Sequence, residues 1–435
     1  MTTQADTEPL RRLPDGTVKQ VSPLTGTTVW TLPGRANRPL PDVPAQRSPV
    51  DPARADALCA FCPDRYTETP PEKARLVCDP EPRLVEHVAA AALGETVAEV
   101  RRIPNLYEIL SVDYWRANHG YVVPADVADR AARYVADPAG RAHVVSVLRA
   151  RAAAGAAPAG GSDDPLAGAV DLFAGSHDVV VARRHLVDGA RFDDELAGSG
   201  TLTPDEHHRF MAMTVRTVQD LYGSRPDALY VAAFQNWLRP AGASFDHLHK
   251  QVVAIDEHGP QVERERERLR DEPDLYNHAV LDVALRHGLV VAANEHAVAI
   301  AGVGHRYPAF EVYATGEHQL PWEHDDAEVR AVSDLVHALH AVSGVHTPSN
   351  EEWHHRPPDV AEPMPWRIVL KWRVSTLAGF EGGTKVNVNT IDPFTLRDRA
   401  VVGLRRLRDA GAIAPMRIGE ETSGHPVRLR YAGVR

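Results

Sequence analysis

The segment Ala241-Gly242-Ala243-Ser244-Phe245-Asp246-His247-Leu248-His249-Lys250-Gln251 constrains the fold more than any other part of the chain. Side chains alternate along an extended strand, so two histidines two residues apart share a face. One ring can grip a metal while the other stands free as a nucleophile. The segment therefore asks for a strand with a metal beside it. Cys59-Ala60-Phe61-Cys62, with Pro63 beyond, has the two-residue gap that lets two thiolates close on one Zn²⁺. A lone histidine such as His185 could complete a tetrahedral set.

At 435 residues the chain is long enough for two or three domains, or for one large two-lobed unit. A net charge of −11 without a dominant basic stripe argues against nucleic acid as the main partner. Local arginine clusters can still hold the phosphates of a small molecule. The first thirty residues lack the apolar centre of a signal peptide, and no later apolar run reaches the roughly 20 residues that cross a bilayer. The expectation is a cytoplasmic protein with no membrane partner. Three cysteines make no disulfide framework, and two of them sit at metal spacing, which fits a reducing compartment and leaves Cys78 as a small core residue.

Thr27 to Leu32 suits a strand, and Asp42 to Ala57 reads as a loop leading to the cysteine pair. Arg75 to Glu108 carries a helix-like alanine patch and then a strand ending at Ile103 to Tyr107. Residues from about Val123 to Ala154 have helical content and end in a low-complexity linker, Ala152 to Gly161, expected to be mobile. Beyond it come a strand at Asp178 to Ala182, a helix at Pro204 to Tyr222 behind a Thr203 cap, a strand at Ala228 to Phe234, and a third strand that carries both histidines and runs on to Ile255. The second half has a charged helix at Val262 to Arg270, read as a solvated face. Strands follow at Ala297 to Ala301, Phe310 to Tyr313 and Trp366 to Val374, with a long helix at Asp326 to Val342. This order predicts an α+β fold of antiparallel strands with helices on one side.

Cys59-x-x-Cys62, Asn236, Ala241 to Ser244 and His247-x-His249-x-Gln251 together resemble galactose-1-phosphate uridylyltransferase and its relatives in the histidine-triad superfamily, which include nucleotide-sugar phosphorylases. Ser22-Pro23-Leu24-Thr25-Gly26 followed by Arg35-Ala36-Asn37-Arg38-Pro39 is similar to that family's opening strand and arginine loop. Gly379-Phe380-Glu381-Gly382-Gly383-Thr384 resembles its sugar-contacting segment. About 113–168 has no counterpart and reads as an insertion.

The resemblance implies two histidine-triad-like lobes, each a mainly antiparallel sheet with helices packed on it. The catalytic lobe would span 1–260 and a degenerate copy 261–435. It implies one structural zinc on Cys59, Cys62, His185 and His247; His177, next to a strand, reads from its position as a structural residue and otherwise as a ligand in place of His185. It implies a nucleotidyltransferase in which His249 attacks the α-phosphorus of a nucleotide sugar, with Gln251 and Ser244 as donors to the phosphoryl oxygens. A sugar 1-phosphate then accepts the nucleotide. Substrate contacts would come from Arg35, Arg38, Phe61, Asn105, Asn236, Phe380 and Glu381, in a homodimer whose active sites borrow residues from the neighbour. Two other readings share the residues: a phosphorylase or hydrolase using the same histidine, and a non-catalytic, zinc-stabilised nucleotide-binding protein.

The chain departs from the family pattern in three places. Leu248 stands where the transferase motif has proline, and Lys250 where it has a small residue. Leu106 follows Asn105 where an acidic residue commonly meets the ribose. Some bacterial transferases carry a second metal on a glutamate, a lone histidine and a His-x-His pair; Glu265 and His354 or His355 match the first two, but Val369 and Lys371 replace the pair, so no second metal is expected.

Overall fold

In a computed structural model, the described residues are 8–34, 47–155, 164–376, 378–424 and 427–431. Most strands join one twelve-stranded sheet whose neighbours are all antiparallel. At its centre Tyr230–Trp237 pairs with Ser349–His354, with Trp237 opposite Ser349 and Gln235 opposite Glu351. From Tyr230–Trp237 the sheet runs outward through His249–Ile255, His177–Ala182, Val100–Pro104 and Ala74–Val77 to Arg83–Glu86. From Ser349–His354 it runs through Arg367–Trp372, Ala309–Ala314, Ala297–Ala301 and Val290–Ala293 to Arg417–Ile418.

The two directions repeat one topology. Apart from the edge strands Arg83–Glu86 and Arg417–Ile418, in each three strands are followed by a long helix, then by the central strand, then by a fifth strand inserted between the third and the fourth. The helices are Pro204–Ser224 and Asp326–Ser343. The first is opened by a capping box between Thr203 and Glu206, and the second by one between Asp325 and Glu328. The architecture is therefore α+β, with two histidine-triad-like lobes sharing a sheet. Registers match as well: His249 opens its strand opposite Val181, the fifth residue of His177–Ala182, and Arg367 opens its strand opposite Tyr313, the fifth residue of Ala309–Ala314. Gln251 and Val369 likewise face the third residues, Val179 and Glu311.

Both long helices pack on one face of the sheet, where Leu248, Val252 and Ala254 meet Phe210, Met211 and Leu221 in the main core. Alternation then turns His249 and Gln251 to the opposite face. Under the helices lies a buried polar group. The Lys250 ammonium pairs with Glu351, both fully buried, and also donates to Gln235 Oε1 at 3.2 Å. His340 Nε2 and Trp353 Nε1 complete the Glu351 carboxylate at 2.8 and 2.7 Å. This network joins the central strands of both lobes, and it explains why a lysine is tolerated beside the histidines.

Residues 112–153 form three helices, Val112–His119, Ala125–Ala136 and Pro138–Ala153. They have their own small core around Val144, Val147 and Phe173. They reach the first lobe through Tyr114 and His119 on Asp256, and through His143 Nε2 on the Thr69 carbonyl at 2.8 Å. Part of the expected linker, 156–161, lies outside the described residues. A separate four-stranded sheet joins Leu10–Arg12, Val18–Val21 and Thr28–Thr31 to Val386–Asn389, the last pair parallel.

Several expectations need correction. The histidine strand begins at His249, and His247 sits in the bend before it. The alanine patch is a single tight turn, Ala90–Ala92. Cys78 is half-buried rather than a core residue. The charged helix, Pro260–Asp271, is not solvated all round, because Glu265 is buried against Arg367. Removing one partner of a buried pair costs more than removing both. Lys250→Met should destabilise the protein by about 3–5 kcal/mol in urea unfolding, and Lys250→Met with Glu351→Leu by clearly less. A loss below about 1 kcal/mol for the single variant would contradict this role.

Candidate active site

Cys59 and Cys62 lie on one turn, closed by the Cys62 N–H on the Cys59 carbonyl at 3.0 Å and by the Cys59 N–H on Cys62 Sγ at 3.4 Å. His185 comes from the turn after His177–Ala182, and His247 from the bend before His249–Ile255. Their ligand atoms lie within 4.8 Å of one another. The sulfurs are 3.8 Å apart, and sulfur to Nδ1 distances are 3.5 Å (Cys59 to His247), 3.7 Å (Cys62 to His185) and 3.7 Å (Cys62 to His247). A tetrahedral Zn²⁺ with ordinary bond lengths requires about 3.8 Å between sulfurs and about 3.6 Å from sulfur to nitrogen. The side chains are set for that ion.

The outer contact supports the same reading. His247 Nε2–H donates to the Ala182 carbonyl at 2.7 Å, which leaves Nδ1 as a lone pair facing the thiols. The hydrogen bond from Cys59 pulls the Cys62 thiol down toward the thiolate a metal needs. A metal held by all four side chains would have no open position for water, as in centres of the structural type.

His249 is aimed by the same bend. Its Nδ1–H donates to the carbonyl oxygen of His247 at 2.7 Å, fixing the tautomer and leaving Nε2 with its lone pair. Burial pushes its pKa down to about 4, so the ring is neutral near pH 7. Phe61 touches both histidines, with centroids 6.0 Å from His247 and 5.3 Å from His249, and Phe245 lies 4.7 Å from Phe61. Both rings thus lie on one side, while Leu248 between them is in the core.

Gln251 is oriented by a residue that sequence reading treated only as structural or as a spare ligand. His177 accepts the Ile109 N–H on Nδ1 at 3.2 Å, so its Nε2–H donates to Gln251 Oε1 at 3.0 Å. Asn105 Nδ2 also approaches that oxygen, at 3.4 Å. The Gln251 amide N–H groups are left to donate elsewhere. Pairing of His177–Ala182 with His249–Ile255 creates this contact, and no local sequence signal marks it. Phe245 could have been noticed as the one aromatic inside the histidine segment.

The other candidates are more scattered. Ser244 is exposed just before the histidine bend. Asn236 accepts from Asn350 Nδ2 at 2.7 Å beside Ala241, whose carbonyl takes the other amide hydrogen. Phe380 and Glu381 sit on the exposed helix Gly379–Thr384, where Phe380 meets Trp30 at 6.3 Å and Glu381 caps the helix. Neither shares a hydrogen bond or ring contact with the His249 group. Arg35 and Arg38 lie outside the described residues.

The family model described as a domain of unknown function, DUF4921, matches residues 13–431. The chain belongs to the DUF4921 family. No curated protein gives a significant match to this DUF4921 sequence. Its fold is similar to that of an ADP-glucose phosphorylase from Arabidopsis thaliana, solved with bound ADP-glucose. The identity is 18% and the TM-score 0.59, with 88% of this chain and 97% of that one covered. A galt-like protein from Arabidopsis thaliana matches with 17% identity, a TM-score of 0.55 and the same coverage of 88% and 97%. At such identities the likeness is one of fold. Among the described residues, no helix is long and apolar enough to cross a membrane.

The metal set makes a direct prediction for this DUF4921 protein. Purified chain should carry about one zinc per molecule, and His185→Ala should lose most of it together with thermal stability. Unchanged metal content and melting temperature in that variant would refute the ligand set.

Proposed function

We propose that the protein is a nucleotidyltransferase that moves a nucleoside monophosphate from a nucleotide sugar to an acceptor phosphate through a covalent nucleotidyl-His249. The observation that carries this reading is the Nδ1–H of His249 held by the His247 carbonyl, which leaves a neutral Nε2 beside Gln251 and Phe61. Nε2 attacks the α-phosphorus, the bond from phosphorus to the bridging oxygen breaks, and the sugar phosphate leaves with that electron pair. The acceptor phosphate oxygen then attacks the same phosphorus and releases the imidazole. Gln251 and Ser244 donate to the phosphoryl oxygens, and Phe61 with Phe245 offers an apolar wall for the base. Asn105 and Asn236 contact the rest of the substrate.

Zinc, bound by Cys59, Cys62, His185 and His247, supplies no chemistry here and keeps the bend before His249 in shape. The remaining roles belong to the same proposal: phosphate contact by Arg35 and Arg38, sugar contact by Phe380 and Glu381, and assembly as a homodimer in which a neighbour can bring those residues to the site. The exposure of Phe380, at 48%, supports such a contact. The lobes are placed at 1–260 and 261–435.

The acceptor divides two forms of the reaction. A sugar 1-phosphate makes the protein a transferase of the uridylyltransferase kind, and inorganic phosphate makes it a phosphorylase. The fold likeness to an ADP-glucose phosphorylase across 97% of that chain favours testing the second form beside the first. With ADP-glucose and UDP-glucose as donors, the protein should release sugar phosphate when either acceptor is supplied in turn. His249→Gly should lower that rate on the order of 10³-fold or more with zinc content unchanged. Near-normal turnover in the variant would remove His249 as nucleophile.

A further inference from the structure

The second lobe has a cleft at the place matching the His249 site of the first. Arg367 stands at the register position of His249, and Val369 at that of Gln251. Both line a cavity of about 180 Å³, closed on one side by the Ser22 to Thr27 turn and on another by the helix Pro260–Asp271.

The charges lining the cavity leave an excess of cations. Arg367 donates to Glu265 from Nη1 at 2.9 Å and from Nη2 at 2.6 Å. Lys371 pairs with Glu352 at 2.6 Å, and His305 Nε2 meets Glu311 Oε1 at 2.9 Å. The Tyr313 hydroxyl donates to the other Glu311 oxygen at 2.5 Å, so the one carboxylate lining the cavity is already satisfied on both atoms. Arg264 and Arg306 remain. Both line the cavity, both are exposed, and neither forms an ion pair among the described residues. Arg367 adds a further donor: it is 2% exposed, yet its Nε finds no hydrogen-bond partner among the described residues. A buried N–H of this kind calls for an acceptor. Leu24, Val280, Val283 and Val303 make the rest of the wall apolar.

We propose that this cleft is a second, non-catalytic binding site for a small phosphomonoester whose organic part has an apolar face. Two unpaired guanidinium groups and a spare Nε–H suit the two charges and several acceptor oxygens of a phosphate, and the apolar wall suits the group that carries it. The site cannot turn its ligand over as the first lobe would. A guanidinium is protonated at all ordinary pH and has no lone pair to offer phosphorus, so the position of the nucleophile holds a binding group instead. The inference goes beyond the reaction at His249 and does not depend on it.

Equilibrium dialysis of the full chain with labelled AMP, UMP and glucose 1-phosphate tests the site. At least one of these probes should bind with an affinity that Arg264→Glu with Arg306→Glu weakens tenfold or more, and that Arg264→Gln with Arg306→Gln weakens less. Both pairs are exposed changes, and an unmoved melting curve checks that the fold is kept. The same probes also fit the proposed His249 site, so the component of binding that charge reversal at Arg264 and Arg306 removes is the one followed, and Gln251→Ala, in the first lobe, should leave that component in place. Failure of all three probes to bind, indifference of the affinity to charge reversal, or an equal loss in Gln251→Ala would overturn the proposal.

Discussion

One carbonyl oxygen, that of His247, connects the cluster of Cys59, Cys62, His185 and His247 to the ring at His249. It belongs to a residue whose own side chain faces two thiols, and it accepts the Nδ1–H of the next histidine at 2.7 Å. Clamping the His247 ring fixes the backbone bend, and the bend fixes which nitrogen of His249 carries the proton. The same bend lies against Ala182, whose carbonyl takes the outer His247 N–H. A cluster of ligand-type side chains, a strand start and a tautomer are thus set by three short contacts, and they need not be optimised separately.

The sheet supplies the frame for that arrangement. Repeating one topology about the central pair of strands puts the two long helices side by side on one face and sets His249 and Arg367 at matching register positions. Because the helices share a face, polar groups at the junction are deprived of water and must satisfy one another. Lys250, Glu351, Gln235, His340 and Trp353 do so across the boundary between lobes. The lobes are therefore joined by charge as well as by strand pairing. In the second lobe Arg367 stands at the register position that His249 holds in the first.

Much of this was legible in the chain. The Cys59-x-x-Cys62 turn and the Thr203 cap named real features, because each depends on neighbours in sequence. Ala297–Ala301 and the helix from Asp326 were readable for the same reason. Contacts made only by pairing were not. His177 reaches Gln251 across two strands, and Arg367 reaches Glu265 across 102 residues, so neither left a local mark. The charged helix misled because one of its glutamates finds a buried partner that its own sequence does not reveal. His247 fell outside the strand because it sits in the bend that turns its ring toward Cys59 and Cys62.

The most direct test of this account is the intact mass of the protein after incubation with ADP-glucose or UDP-glucose in the absence of an acceptor, followed by peptide mapping. The account predicts an acid-labile gain of one nucleoside monophosphate, located on His249 and discharged by an acceptor phosphate. Turnover with no adduct at any stage, or an adduct on another residue that persists in His249→Gly, would contradict it.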